Sequence, residues 1–345
     1  MYRKIMGFLE AWKENEHRKP LILQGARQVG KTYSILEFGR IHYENVAYFN
    51  FETNPKLNET FEEKISPDYL IPILSHIAGQ TIVKEKTLIV FDEVQLCERA
   101  LTSLKYFCED APDYHIIVAG SLLGVAVNRA KFSFPVGKVD MKTLYPMDME
   151  EFMIAVGEDE LVEQIKKCFE TNRPMPSALH DAAMQLYRQY LVVGGMPECV
   201  MQFVQTGDYI LIRHTQDTIL TSYLNDMSKY NNLNEIKKTR LAYDNITVQL
   251  SKKNTRFQYK LIKKGGRASE FENAIEWLCL SGIVSQVYRV EQIKKPLENY
   301  RDIDAFKIYV SDLGLLCAKK DLAANDILYM VEELNDFKGG MTENY

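Results

Sequence analysis

The 345-residue chain has no run of about 18 apolar residues, so no segment reads as a membrane span. Its opening residues, MYRKIMGFLEAWKENEH, alternate apolar and charged positions as an amphipathic helix does. They lack the continuous apolar stretch and small-residue cleavage site of a secretory signal. Six cysteines (Cys97, Cys108, Cys168, Cys199, Cys279 and Cys317) include no CxxC pair and have no nearby histidine partner. Zinc and disulfide readings both fail on spacing, and reduced thiols in a cytoplasmic protein are expected. His76, His115 and His180 are isolated, without ligand spacing. There is no internal repeat and no low-complexity tract.

What is present is ordinary globular material, 46% hydrophobic and 26% charged, which excludes a fibre or a disordered chain. The length exceeds one average domain, so two or three are expected. A net charge of −5 argues against whole-molecule binding to polyanions. The charge is unevenly spread, however. Residues 235–310 hold 15 Lys and Arg against 9 Asp and Glu, a net of +6, so the remainder carries −11. A basic module on an acidic body is hidden in that total.

The first half alternates strand-like and helix-like segments, the pattern of a mainly parallel sheet covered by helices. Four apolar runs read as buried strands: Pro20–Gln24, Val46–Glu52, Thr87–Asp92 and His115–Gly120. A weaker fifth is expected near Val136–Leu144. After Tyr145-Pro146 the pattern becomes helical: Met147–Val156, Glu158–Glu170, a breaker at Asn172–Pro176, then Ala178–Val193 closed by Gly194-Gly195. The basic segment is expected to give helices at Ile236–Leu250, Thr255–Lys264 and Ser269–Ser281. A strand pair at Ile283–Val290 and Ala305–Val310 follows. Three helices and a β-ribbon is a winged-helix layout.

Gly25-Ala26-Arg27-Gln28-Val29-Gly30-Lys31-Thr32 matches G-x-x-x-x-G-K-[ST], after the strand PLILQ and before a helical pattern at Tyr33–Arg40. The glycines let successive backbone N–H groups face an anion at the positive end of the next helix. Lys31 is expected to reach β- and γ-phosphates, and the Thr32 hydroxyl to ligate Mg²⁺. Leu88–Phe91 followed by Asp92-Glu93 is an apolar strand ending in two carboxylates, about 60 residues downstream. Asp92 is placed to hold magnesium and Glu93 to deprotonate an attacking water. Ser121 ends the next strand and either senses the γ-phosphate or caps the following helix. Expected cofactors are therefore ATP and Mg²⁺.

Together these residues resemble a bacterial and archaeal family of AAA-type P-loop ATPases. Its members join an ATPase core to a C-terminal region related to restriction-endonuclease folds. GARQVGKT at Gly25–Thr32, Asn50-Phe51-Glu52, Phe91–Gln95 with Leu104-Lys105, and Ala119-Gly120-Ser121 are similar to the family's core motifs. Leu144–Phe152, Gly194–Glu198 (GGMPE) and Phe306–Leu316 are similar to its later ones. The resemblance implies an α/β P-loop core over about 1–165, a helical lid over 166–232, a winged-helix-like domain over 233–318, and a C-terminal stub over 319–345. The family usually has Gly-Arg where this chain has Gly137-Lys138, and Lys138 keeps the charge but not the bidentate fork. Gly339–Tyr345 is similar to the opening of the nuclease-like region, which is expected to be either truncated or lost here.

The basic stretch Ser251–Arg267 holds Lys252, Lys253, Arg256, Lys260, Lys263, Lys264 and Arg267, with Phe257 and Tyr259 interleaved. It suits phosphate contacts, but Glu270, Glu272 and Glu276 stand on the helix that would enter a groove. The expected function is Mg²⁺-dependent ATP hydrolysis coupled to a protein partner, with no membrane role. The alternative is an ATPase whose basic module binds DNA or RNA, weakly and without sequence preference. Self-association stays open, and Arg27, Arg99 and Arg129 are candidate charge sensors.

Overall fold

The computed structural model describes residues 1–125, 134–229, 233–251, 256–330 and 334–345. Arg129, Lys252 and Lys253 lie outside them. The chain divides into two compact units, Arg3–Tyr145 and Pro146–Tyr345, the latter joined by Met1–Tyr2. No helix among the described residues is long and apolar enough to cross a membrane.

In the first unit the order is α1 (Ile5–Glu14), β1 (Leu21–Gln24), α2 (Lys31–His42), β2 (Asn45–Asn50), α3 (Leu57–Glu63), α4 (Pro67–Ala78), β3 (Thr87–Asp92), α5 (Glu98–Asp110), β4 (His115–Gly120) and β5 (Asp140–Thr143). The five strands form one parallel sheet in the order β2-β3-β4-β1-β5. The middle strands β3 and β4 are buried along their whole length, which is why TLIVFD and HIIVAG are continuous apolar runs rather than alternating ones. The edge strand β5 is half-exposed, so its sequence signal is weak. One face of the sheet packs Phe49, Phe91 and Val118 against Phe61, Leu74 and Phe107 from the helices. The Phe61 ring lies 5.6 Å from both Phe51 and Phe91.

Every strand of this sheet points the same way, so Gln24, Asn50, Asp92, Gly120 and Thr143 all end at one edge. Gln24 pairs with Gly120 and with Thr143, and Asn50 pairs with Asp92. That edge is where an α/β sheet offers a crevice.

The second unit opens with α6 (Met149–Ala155), α7 (Asp159–Glu170), α8 (Ser177–Val193), α9 (Pro197–Thr206) and α10 (Tyr209–Lys229). Asp148 starts α6 with a capping box: it accepts from Glu151 N at 2.9 Å, and Glu151 Oε2 accepts from Asp148 N at 3.3 Å. Next come α11 (Leu233–Leu250), α12 (Ala268–Leu280), and the antiparallel pair β6 (Val284–Val290) and β7 (Arg301–Val310). The unit ends with α13 (Leu313–Lys319), α14 (Ala324–Leu328) and α15 (Asn335–Asn344).

Between α11 and α12 the structure departs from expectation. Among the described residues of Thr255–Lys264 the only helical stretch is Tyr259–Leu261, a single 3₁₀ turn. The Gln249 side chain holds the backbone of Gln258 from both sides, accepting from its N–H at 2.7 Å and donating to its carbonyl at 3.2 Å. Phe257 N donates to Phe306 O at 2.7 Å, and Phe257 stacks on Phe306. Backbone groups captured by side chains and by a neighbouring strand are not free to close helical turns.

A second long-range knot joins two motifs more than a hundred residues apart. Asp312 is fully buried, accepting from Leu315 N at 2.8 Å as the cap of α13 and from Gly195 N at 2.6 Å. Gly194 has φ of +73° and lies so close that a Cβ there would fall 2.4 Å from Asp312 Oδ1. At the end of the chain, Asn344 pairs with both backbone groups of Val310, at 2.8 and 2.9 Å. Glu343 receives Lys307 and the Tyr309 hydroxyl. Both residues fasten α15 to β7.

Candidate nucleotide site

The loop between β1 and α2 leaves the sheet at Gly25, whose φ of +148° lies outside the range of ordinary side chains. A Cβ there would also fall 2.1 Å from the Leu144 carbonyl oxygen, so only glycine fits. Gly30 has φ of +91° and leads into α2, which begins at Lys31. The first N–H groups of a helix have no partner within it, so Lys31, Thr32 and Tyr33 present donors at the positive end of α2.

Lys31 is buried, and its ammonium donates to the loop's own carbonyls, Gly25 O at 2.9 Å and Ala26 O at 2.8 Å. Burial pulls its pKa down to about 8. The charges of Glu93 and Asp92 oppose that fall, and Arg27 adds to it. Both of its hydrogen-bond partners are neutral carbonyls, which an arriving phosphate can replace.

The two carboxylates divide into different environments. Asp92 ends β3 and is buried. Its Oδ2 accepts from the Thr32 hydroxyl and from the Tyr48 hydroxyl, each at 2.8 Å, and its Oδ1 accepts from Glu93 N at 2.9 Å. Glu93 has a left-handed backbone with φ of +52°, which swings it away from the strand direction. Burial raises its pKa, the Gln95 amide that donates to it opposes the rise, and the charge of Asp92 adds to it. The other end of Gln95, Oε1, has no partner among the described residues and lies against Gly120, where a Cβ would fall 2.2 Å away.

Gly25–Thr32, Lys31, Asp92 and Glu93 thus come together at one edge of the sheet. Ser121 is buried immediately past Gly120, on the strand between β1 and β3. The Thr32 hydroxyl and Asp92 carboxylate are hard oxygen donors already in contact, the donor set a magnesium ion takes. Tyr48 and Gln95 are site residues that sequence reasoning missed. Tyr48 sits two residues before the end of β2, and its register opposite Val90 is what brings its hydroxyl beside Asp92.

Other candidates lie elsewhere. Lys138 precedes β5, at the opposite edge of the sheet from the loop, and its ammonium holds Glu109 at 2.9 Å. Arg99 is taken up by the Phe61 carbonyl at 2.6 Å. His115 is buried against the Tyr43 hydroxyl at 2.8 Å, and burial pushes its pKa down to about 4. Within the basic stretch, Arg256, Lys260, Lys263, Lys264 and Arg267 are exposed. Lys263 is paired with Glu270 at 3.1 Å, Phe257 is buried in a stack on Phe306, and the half-buried Tyr259 ring meets Phe306 edge-on. Among the described residues no group of three or more His, Cys, Asp or Glu could hold a metal.

Residues 17–153 match the model of a family described as an AAA domain. Residues 184–326 match one described only as a domain of unknown function. A search of curated proteins finds no match. Among solved structures, the Walker-type ATPase PABY2304 of Pyrococcus abyssi is similar with a TM-score of 0.56 at 14% identity, over 92% of this chain and 95% of that one. The ORC2 protein of Aeropyrum pernix, solved as ADPNP–ADP complexes, has a TM-score of 0.44 at 12% identity, over 99% and 95% of the two chains. A RuvB of Thermotoga maritima has a TM-score of 0.36 at 14% identity, over 82% and 87%. At such identities the first of these shows a shared fold, and the other two add no argument.

Proposed function

We propose, starting from an AAA-type P-loop domain at residues 17–153, that this chain hydrolyses ATP with Mg²⁺ and couples its nucleotide state to a protein partner. The observation that carries the reading is the 2.8 Å contact between Thr32 Oγ1 and Asp92 Oδ2. It joins the end of the anion-binding loop to a carboxylate whose neighbour, Glu93, is a second acid.

In this reading Gly25–Thr32 wraps the phosphates with backbone N–H groups, and Lys31 leaves the Gly25 and Ala26 carbonyls to face the β- and γ-oxygens. Thr32 and Asp92 hold the metal. When bound, magnesium supplies charge neutralisation on the phosphate oxygens. Glu93 takes the proton of the attacking water, and its raised pKa suits it to that role. Gln95 holds the Glu93 carboxylate in place, and Ser121, buried just past Gly120, is assigned the role of reporting the γ-phosphate.

Glu93→Gln tests the reading. It should leave MgATP affinity within about twofold while turnover falls by roughly 10²–10⁴. Equal turnover in the variant and the parent would place the base elsewhere.

Within the second unit we assign residues 166–232 to a helical lid and 233–318 to a winged-helix-like module. Its two long helices α11 and α12 and the β6–β7 hairpin support that assignment. We assign the module to protein contact rather than base reading. The hairpin from Val287 to Asp304 carries four basic and four acidic residues, and Phe257 of the basic stretch is buried against Phe306. Binding to nonspecific duplex should be weak and lost at physiological salt.

A further inference from the structure

The two faces of β2 differ in what they meet. Ala47 and Phe49 point into the aromatic core with Ile89 and Phe91. The alternate residues Val46, Tyr48 and Asn50 point to the opposite face, which α2 covers; a Cβ on Gly39 of that helix would fall 2.5 Å from Val46. Asp92 lies on that face too, because it stands opposite Asn50 in the parallel register. β2 is an edge strand, and Tyr48 is 37% exposed. Water could satisfy a hydroxyl so placed, yet it is turned inward onto a buried carboxylate.

That hydroxyl is also held from behind. Asn50 Oδ1 accepts from Glu52 N and Thr53 N, each at 2.9 Å, so its amide nitrogen faces Tyr48 and donates to the hydroxyl oxygen at 3.2 Å. A phenol has one proton to give and keeps it well past neutral pH, and here it goes to Asp92 Oδ2 at 2.8 Å. The same oxygen receives the Thr32 hydroxyl, and Oδ1 receives Glu93 N at 2.9 Å. Donors from β2, from α2 and from the turn after β3 thus fix the plane of one carboxylate. Thr32 is itself a candidate metal ligand and Glu93 N is backbone, so Tyr48 is the side chain whose one contact with the site is to hold Asp92.

Such rigidity matters to one metal more than to another. Magnesium takes ligands at about 2.0–2.1 Å in near-ideal octahedral geometry, whereas calcium accepts about 2.3–2.6 Å and flexible arrangements. Removing a group that orients a metal ligand commonly weakens metal affinity by about 10–100-fold. We propose that Tyr48, steadied by Asn50, is the positioning residue of the metal site: its hydroxyl locks the Asp92 carboxylate in one orientation and so makes nucleotide binding prefer Mg²⁺ over Ca²⁺. The inference rests on the nucleotide reading above and adds to it the residue that selects the metal.

The test measures binding, not turnover. A fluorescent, non-hydrolysable ATP analogue is titrated with the full chain in saturating Mg²⁺, in saturating Ca²⁺ and in EDTA. Tyr48→Phe should weaken binding by about tenfold in Mg²⁺ and by less than about threefold in Ca²⁺, while affinity in EDTA stays within about twofold. Tyr43→Phe is the control. It cuts a buried hydroxyl contact with His115 at 2.8 Å in the same unit, and should lower Tm without altering the Mg²⁺-to-Ca²⁺ ratio. Unchanged or tighter binding of Tyr48→Phe in Mg²⁺, or an equal loss in both metals, overturns the proposal. So does a loss in EDTA as large as that in Mg²⁺, which would make Tyr48 a nucleotide contact. The same fall in the ratio for Tyr43→Phe overturns it too, since the effect would then be a general softening of the fold. A parent chain that binds the analogue under none of the three conditions sinks the nucleotide reading as well. A parent that binds it, beside a Tyr48→Phe variant with the parent's selectivity, sinks this inference alone.

Discussion

Lys31 gives the sharpest test of how the loop is built, because burial makes its charged form costly before an anion arrives. Burial brings its pKa to about 8. If only the protonated form binds the triphosphate, the apparent dissociation constant scales as one plus ten to the power of pH minus 8. That factor is about 1.1 at pH 7 and about 11 at pH 9, so MgATP affinity should weaken roughly tenfold between them. Calorimetry at constant ionic strength reads this directly, and the nucleotide's own last proton is already gone over that range. Lys31→Arg keeps its charge and should show a flat profile, whatever its absolute affinity. The stability effect has the opposite sign. The folded pKa lies below the unfolded value, so the folded state binds fewer protons between about pH 8 and 10.5. Stability relative to Lys31→Met should therefore rise as pH rises through that window. An affinity that stays flat to pH 9 in the parent chain would refute the argument, since the ammonium would then be held charged by its surroundings.

Further perturbations follow from other contacts. Asp92→Asn removes the charge that receives both the Thr32 and Tyr48 hydroxyls, and a magnesium titration of nucleotide binding should show half-saturation raised by roughly tenfold or more. Gln95→Ala removes a hydrogen bond that favours ionised Glu93, so the acidic limb of the turnover–pH profile should move to higher pH. Asp312→Ala orphans the N–H groups of Gly195 and Leu315, and urea denaturation should show a loss of about 2–5 kcal/mol. Burial raises the Asp312 pKa to about 6, so its contribution to stability should fall as pH rises from about 4 to about 6. Asp312→Asn should flatten that part of the profile.

The parts of this molecule that the sequence displays are those governed by neighbours along the chain. The anion loop is a local arrangement: strand, glycines, lysine and helix start fall within a dozen residues, so spacing alone identified it. β3 and β4 were visible because strands buried on both faces must be apolar throughout. Tyr48 was not visible because its contact with Asp92 depends on the register of β2 against β3, which no local pattern encodes. The helix expected at Thr255–Lys264 failed for a similar reason. Its propensity was overruled by Gln249 and by Phe306, the latter nearly fifty residues away from Phe257. The interleaved Phe257 and Tyr259 read alike in sequence, but the contact with Phe306 buries Phe257 and leaves Tyr259 half-exposed. Glycines 194 and 195 read as a helix stop, and their closeness to Asp312 emerges only in three dimensions.

Under the proposed role of Glu93 as the base, its left-handed backbone sets heat resistance and hydrolysis against each other at one position. A glutamate there costs on the order of 1–2 kcal/mol relative to a residue at ease with positive φ. Glycine or asparagine would recover much of that, and neither can take a proton from water. Directed evolution that scores this chain only for survival after heating should therefore enrich such replacements at 93 and yield robust proteins that no longer turn over. A useful thermostable version has to be selected with hydrolysis as a second criterion, and it must draw its added stability from positions away from this turn.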